Sequence, residues 1–336
     1  MRKLICRFVT GLTVATLLCW DSSLLAQGRD SYGVELLTDS NFQVPPQLFS
    51  AMSQGGIRWG KVGFDRELVH IGPNQYDWSA MDAIVNQAAT HGFQLLGSLG
   101  GTLLWDTAEP KRVDYFTYPP RVYEYWADSV FQTVSRYKNQ VRYWEIGNEP
   151  DIPPPAGFWN GTPAEYARFL AVAYGEVKRA DPTAQVLIGG FLAISGSEDF
   201  FQAIMADPDN PADQNFDIMN IHAYWSRADA REKVILWRSM TEKPLWVTEM
   251  GWPSYPALQQ QIDPAFCCGE AAQAQFLQTV LPELVSLGAE KVFWFALWVH
   301  ENPWGGYDTY ALLDRVTFAP KPAYFALRDL LVSLPP

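Results

Sequence analysis

The chain is short of the residue types that usually announce metal, redox or nucleic-acid chemistry. Its 336 residues include 4 His and 4 Cys. The histidines, His70, His91, His222 and His300, form no short-spaced pair and no His-Glu-x-x-His run, so no metal centre is expected. Basic residues are outnumbered, with 25 Lys and Arg against 37 Asp and Glu and a formal charge of −12. Such a surface repels phosphate backbones, so nucleic acid is not an expected partner. The glycine-rich stretch Gly97-Ser98-Leu99-Gly100-Gly101 lacks both a Lys and a following helix start. It therefore does not cradle a phosphate, and no cofactor is expected. There is no internal repeat and no low-complexity linker.

Long apolar runs are also missing. Phe8 to Trp20 is the candidate, and it falls below the roughly 18 residues a spanning helix needs. Preceded by Arg2, Lys3 and Arg7 and followed by Ser23-Leu24-Leu25-Ala26, it reads as an export signal over residues 1–26. An uncleaved anchor is the alternative. Cleavage would remove three basic groups and one acidic group, taking the charge from −12 to −14, and would leave a secreted or periplasmic chain with no membrane insertion. It would also remove Cys6 and Cys19. The remaining Cys267 and Cys268 are adjacent, and both a vicinal disulfide and two free thiols stay open.

What is abundant is aromatic. Fourteen Trp within a 14% aromatic fraction offer flat faces, suited to a large core or to stacking on sugar rings. Apolar segments alternate between strand and helix patterns, which favours a parallel sheet covered by helices. Eight strands are expected: Tyr32–Leu37, Ile57–Val62, Phe93–Ser98, Val141–Ile146, Gln185–Gly190, Phe216–His222, Leu245–Glu249 and Lys291–Leu297. Helices are expected over Ala80–Thr90 with Ser79 as cap, from Thr162-Pro163-Ala164-Glu165 to about Ala180, over Ala271–Leu287 and over Lys321–Val332. Eight such units without a linker fit one (β/α)8 barrel over residues 27–336, with any active site on the loops that follow the strands. The Pro-rich pieces Asp151–Pro155 and Asn302–Gly306 lie on that face.

Two glutamates end strands there. Strand 4 runs into Tyr143-Trp144-Glu145-Ile146-Gly147-Asn148-Glu149-Pro150, and strand 7 into Leu245-Trp246-Val247-Thr248-Glu249-Met250. Splitting a glycosidic bond requires two carboxyl groups in different states, one protonated and one ionised. Apolar neighbours favour the first state and hydrogen-bond donors the second.

The ordered set resembles clan A glycoside hydrolases, and within them the cellulase-like and family 39 group. Asn148-Glu149-Pro150 and Glu249 carry the resemblance. So do Tyr76-Asp77-Trp78-Ser79 with Asp82, Trp105 after strand 3, Ile221-His222-Ala223-Tyr224-Trp225, and Leu312-Leu313-Asp314 with Pro320-Lys321-Pro322-Ala323-Tyr324. The resemblance implies a retaining glycosidase acting on β-linked oligo- or polysaccharide. Glu149 would be the acid/base and Glu249 the nucleophile. Asn148 would bind the sugar 2-hydroxyl, Tyr224 would orient Glu249, and His222 would line the pocket. Trp294 and Trp298 would floor the sugar site, and Trp105 would also contact substrate. One departure stands out. Where the group carries an Arg near the end of strand 2, this chain has Lys61, and Arg58 lies three residues earlier. Either Lys61 substitutes for it, or Arg58 points inward. Glu145 shares a face with Glu149 by alternation and needs a cation if buried, with Arg58 the expected partner. A polysaccharide-binding barrel with weakened hydrolysis, and a transglycosylase, are the rival readings. Xylan, β-glucan, mannan and an exopolysaccharide of the producing cell remain open as substrates.

Overall fold

The computed structural model describes residues 28–107, 109–154, 156–300 and 306–335. The expected export signal with Cys6 and Cys19, and most of Asn302–Gly306, lie outside the described residues. Among the described residues, eight parallel strands form one sheet. We label them β1 (Tyr32–Leu36), β2 (Trp59–Gly63), β3 (Gln94–Leu99), β4 (Val141–Asn148), β5 (Gln185–Gly190), β6 (Met219–His222), β7 (Leu245–Met250) and β8 (Ala289–Trp298). Their order is β5-β4-β3-β2-β1-β8-β7-β6. Parallel bridges from Leu187 to Ile218 and from Phe191 to Ile221 close the ring between β5 and β6. The sheet is thus the single (β/α)8 barrel that the alternating pattern indicated.

One principal helix follows each strand: α1 (Pro46–Gly55), α2 (Ser79–His91), α3 (Tyr123–Tyr137), α4 (Pro163–Ala180), α5 (Ser197–Met205), α6 (Arg227–Ser239), α7 (Glu270–Ser286) and α8 (Pro322–Ser333). Local chemistry starts and stops them. Thr162 accepts from the Glu165 N–H, and Glu165 reaches back to the Thr162 N–H, so α4 opens with a complete capping box. Losing the Thr162 hydroxyl would cost about 1 kcal/mol. At α2 the expected cap is displaced by one or two residues. Ser79 is itself helical, and Asp77 Oδ1 accepts from its N–H at 2.9 Å. Helices α3 and α4 pack through Trp126 stacked on Phe169, with centroids 4.2 Å apart. Such a pair contributes roughly 0.5–1.5 kcal/mol beyond the area it buries.

The barrel interior has two layers. At the end where the strands begin, Trp59, Leu96, Leu187, Ile218, Trp246 and Phe293 form a closed apolar cluster backed by Tyr143. Trp59 meets Trp246 edge-on at 5.7 Å. This plug leaves no channel, as expected of a packed barrel. One step further along the strands, the inward positions become polar.

Candidate active site

The switch follows from alternation. Inward residues sit two apart, so Trp59 in the plug is followed on β2 by Lys61, and Tyr143 on β4 by Glu145. Lys61 is 2% exposed and Glu145 is fully buried. The Lys61 Nζ lies 3.2 Å from Glu145 Oε1 and 2.7 Å from Glu249 Oε1. Arg58 does not pair with Glu145, contrary to the expectation above. It sits exposed, 3.6 Å from Asp30, because its position has the opposite parity to Lys61. The ammonium of Lys61 is therefore the cation beneath Glu249.

Glu149 follows β4 directly and adopts φ 41°, a left-handed conformation that costs a non-glycine residue energy. Gly147, at φ 82°, makes the preceding bend. The turn is tied down on both sides. The Glu149 N–H donates to Gly190 O at 2.9 Å. Asp151 accepts from the N–H groups of Leu192 and Ala193 and from the Ser197 hydroxyl, which joins this loop to the start of α5. Tyr166 donates to Ile146 O and accepts from Gly189 N–H, both at 2.9 Å.

Glu249, near the end of β7, receives Lys61 on one oxygen and the Tyr224 hydroxyl on the other at 2.8 Å. His222 stands between the two glutamates. Its Nδ1 is 2.7 Å from Glu149 Oε1 and its Nε2 is 3.5 Å from Glu249 Oε1. The fully buried imidazole fits only because its β5 neighbour is Gly190, where a Cβ would collide with Nε2. One oxygen of each glutamate and a His222 nitrogen all lie within 4.8 Å of one another.

The two carboxyls are thereby pushed apart in acidity. Burial raises Glu149, and the nearby His222 offsets only part of that rise. Burial also acts against ionisation of Glu249, but His222, Lys61 and the hydrogen bonds from Lys61 and Tyr224 override it and hold the group at about 2. His222 is itself raised: burial disfavours its charge, but the two carboxylates outweigh that. The site thus pairs a Glu149 inclined to keep its proton with a Glu249 held ionised. Glu149, His222 and Glu249 are also donor types that bind cations. They come from three separate strands, which the linear spacing of histidines does not reveal. Here Lys61 already supplies the positive charge against Glu249.

A cavity of about 680 Å³ opens above this pair. Asn148, Glu149, Tyr224, Glu249 and Lys61 line it, as does Glu35 from β1. An adjoining hollow of about 390 Å³ shares Gly63, Asp65, Ser98, Asn148 and Phe158 with it and adds Phe42 and Phe116. Three of its phenyl groups are roughly half exposed, Phe42 at 45%, Phe116 at 42% and Phe158 at 48%, while Phe169 is buried.

Three of the expected sugar contacts lie elsewhere. Trp294 and Trp298 are buried in the layer between barrel and helices, where their indole N–H groups donate to Tyr310 O and Arg315 O. On β8 the inward positions belong to Phe293 in the plug and Phe295 on the cavity. Trp105 packs edge-on against His70 and Tyr125, away from both hollows. Aromatic surface is supplied instead by Phe295, Tyr307, Tyr310, Phe158 and Trp225. Trp225 adopts φ 79° and is 50% exposed. Cys267 and Cys268 form a disulfide. The loop around them contributes no residue to the lining of either hollow.

A closed parallel barrel with two glutamates at the tips of β4 and β7, set against each other in acidity, defines a glycosyl hydrolase catalytic core. The family model for the glycosyl hydrolase catalytic core matches residues 127–317, more than half of the chain, and the chain belongs to that family. Solved structures of similar fold include a family 39 glycoside hydrolase from Bacteroides cellulosilyticus WH2, with TM-score 0.66 and 19% identity over 92% of this chain and 64% of that one. A monomeric beta-xylosidase from Caulobacter crescentus CB15 aligns with TM-score 0.70 and 17% identity over 90% of this chain and 68% of that one. A xylanase from Paenibacillus barcinonensis aligns with TM-score 0.62 and 16% identity over 91% of this chain and 97% of that one. At these identities the likeness is one of fold. The chain spans about two thirds of the length of the first two.

Proposed function

We propose that this protein is a glycosidase that cleaves β-glycosidic bonds in an oligo- or polysaccharide and retains the anomeric configuration. The observation that carries the reading is the pair itself. Its members face one cavity, are raised and lowered in acidity respectively, and bring oxygens within 4.8 Å. Retaining enzymes hold their carboxyls roughly 5–5.5 Å apart, whereas inverting ones leave about 6.5–9.5 Å for a water.

In the first step Glu249 attacks the anomeric carbon while Glu149 gives its proton to the departing oxygen. In the second, Glu149 takes a proton from water, and the resulting hydroxide displaces Glu249 from the sugar. Asn148 faces the cavity beside Glu149 and is placed to bind the sugar 2-hydroxyl. Tyr224 and Lys61 hold Glu249 in one orientation. The contact of Lys61 with Glu249 supports hydrolysis over the binding-only reading, because the nucleophile keeps its cation despite the missing Arg.

Screening a panel of β-glycans and aryl β-glycosides, with product anomers followed by NMR, tests the proposal. Initial release of the β-anomer supports it, and initial release of the α-anomer overturns retention. Azide rescue adds a second readout. Glu249→Ala should form an α-glycosyl azide and Glu149→Ala a β-glycosyl azide. Export is a separate part of the proposal. The amino terminus of protein recovered from outside the cytoplasm should begin after Ala26.

A further inference from the structure

The polar layer of the barrel holds more carboxyl groups than its cations balance. Glu35, Glu145 and Glu249 surround Lys61, while His222 lies between Glu249 and Glu149. Lys61 is committed to Glu249 and Glu145 at 2.7 and 3.2 Å. Glu35 sits beside Lys61 in the register of β1 and β2 and lines the catalytic cavity. Its Oε2 is buried and has no hydrogen-bond partner. An ionised carboxylate so placed would face two others with the nearest ammonium already taken.

We propose that Glu35 is a positioning residue that works as a neutral carboxylic acid, directing its O–H toward Glu249 and, together with Lys61, fixing the carboxylate that attacks the sugar. The charged and titratable groups around it all bear on this state. Glu249 from β7 and Glu145 from β4 disfavour its ionisation, Lys61 from β2 opposes them, and Tyr224 after β6 stands on the far side of Glu249. Burial is the largest influence, and the balance lies well above the ordinary range of a glutamic acid. The barrel would thus use an ammonium and a carboxylic acid, drawn from two adjacent strands, to hold one oxygen cluster. The inference rests on the reading of Glu249 as nucleophile.

The test has two arms. In protein labelled with carbon-13 at the glutamate carboxyl, a resonance that titrates well above the ordinary glutamate range should be present in the wild type and absent from Glu35→Gln. A Glu35 resonance that titrates in the ordinary glutamate range overturns the inference. If Glu35→Gln fails to fold, Glu35→Asp assigns the resonance by removing it from the glutamate-labelled spectrum. The kinetic arm uses whichever aryl β-glycoside the panel shows to be turned over. Glu35→Gln, which keeps a neutral donor, should hold kcat within about threefold, whereas Glu35→Ala should lose tenfold or more in kcat with KM little changed. The alkaline limb of the wild-type pH profile should steepen toward a two-proton slope, because Glu35 and Glu149 must both stay protonated. In Glu35→Gln it should fall to a one-proton slope. Equal damage from Gln and Ala, or an unchanged slope, overturns the inference. Glu249→Ala separates this failure from that of the underlying reading. If that variant keeps full turnover, the nucleophile assignment itself is lost.

Discussion

The two layers inside the barrel use the same strands to opposite ends. The lower layer joins Trp59, Trp246 and Phe293 with Leu96, Leu187 and Ile218 into a closed apolar plug. The upper layer, one inward position further along, gathers Lys61, Glu145, His222 and Glu249 with little exposure to water. The plug gains its free energy from burial and close packing, and its one buried polar atom without a hydrogen-bond partner is the Trp59 indole nitrogen. The charged layer gains little net stability, because each ion gives up hydration that its partners only partly restore. Its return is a fixed difference in acidity between two glutamates. A barrel can hold such a layer because a packed floor lies directly beneath it.

The sharpest way to break that comparison is to remove Glu249. Glu249→Ala should lower kcat by roughly 10⁴-fold or more, as losses of covalent nucleophiles do. Its thermal midpoint should stay within a few degrees of wild type, because Lys61 keeps Glu145 as a partner. A midpoint that collapses together with activity would mean that the upper layer also supports the fold.

Lys61→Met should fail on both counts. It strands Glu145 and Glu249 without their ammonium, and breaking a buried pair costs about 3–5 kcal/mol. Denaturant titration would show the lost stability, and steady-state kinetics the loss of a well-held nucleophile. Trp59→Ala is the mirror experiment in the lower layer. Emptying the plug should also cost about 3–5 kcal/mol, yet the folded fraction should turn over substrate at close to the normal rate at low temperature. A strong kcat defect in correctly folded Trp59→Ala would show that the two layers are mechanically coupled.

The pH dependence sharpens the contrast without any mutation. Glu249 is held at about 2 and must be ionised, so the acid limb of kcat/KM should lie below the usual glutamate value of 4.5. Glu149 is raised and must be protonated, so its limb should lie above that value. Stability follows the same signs. As pH falls from about 4.5 toward 2, the unfolded state takes up a proton that folded Glu249 refuses, and that share of stability is lost. Glu149 acts in reverse, its share fading as pH rises through its elevated value. An acid limb at or above 4.5 would remove Lys61, His222 and Tyr224 as the groups that hold Glu249 ionised.

How much of this was legible in the sequence divides along the same line. Strand existence and order came from local periodicity, and seven of the eight expected strands begin within two residues of those observed. The sixth is shorter, because Phe216 to Ile218 approach β5 through a single bridge before regular pairing starts at Met219. Lys61, Asn148, His222 and Tyr224, which the structure brings to the cavity or its glutamates, were named because their neighbours resemble a family pattern. Trp294 and Trp298 were misplaced because a central strand that is apolar on both faces gives no sign of which parity faces the axis. Arg58 was offered to Glu145 on charge alone, although parity already set it against Lys61. Glu35 was passed over, yet a Glu ending the first strand's apolar run at Tyr32-Gly33-Val34 was a usable signal. Its importance depends on three strands meeting, which no local window displays.

The smallest expected effect lies where the charged layer opens outward. Phe158 borders both hollows and is 48% exposed, so its ring is available to a sugar beyond the cleavage point. Stacking of this kind contributes on the order of 1 kcal/mol, so Phe158→Ala should raise KM for long oligosaccharides by a few-fold and leave short aryl glycosides nearly unchanged. Phe42→Ala and Phe116→Ala, which line the adjoining hollow alone, should repeat this dependence on chain length more weakly. Equal losses on short and long substrates would instead place Phe158 at the reacting sugar, making it part of the catalytic cavity. The adjoining hollow would then not be an extension that measures substrate length.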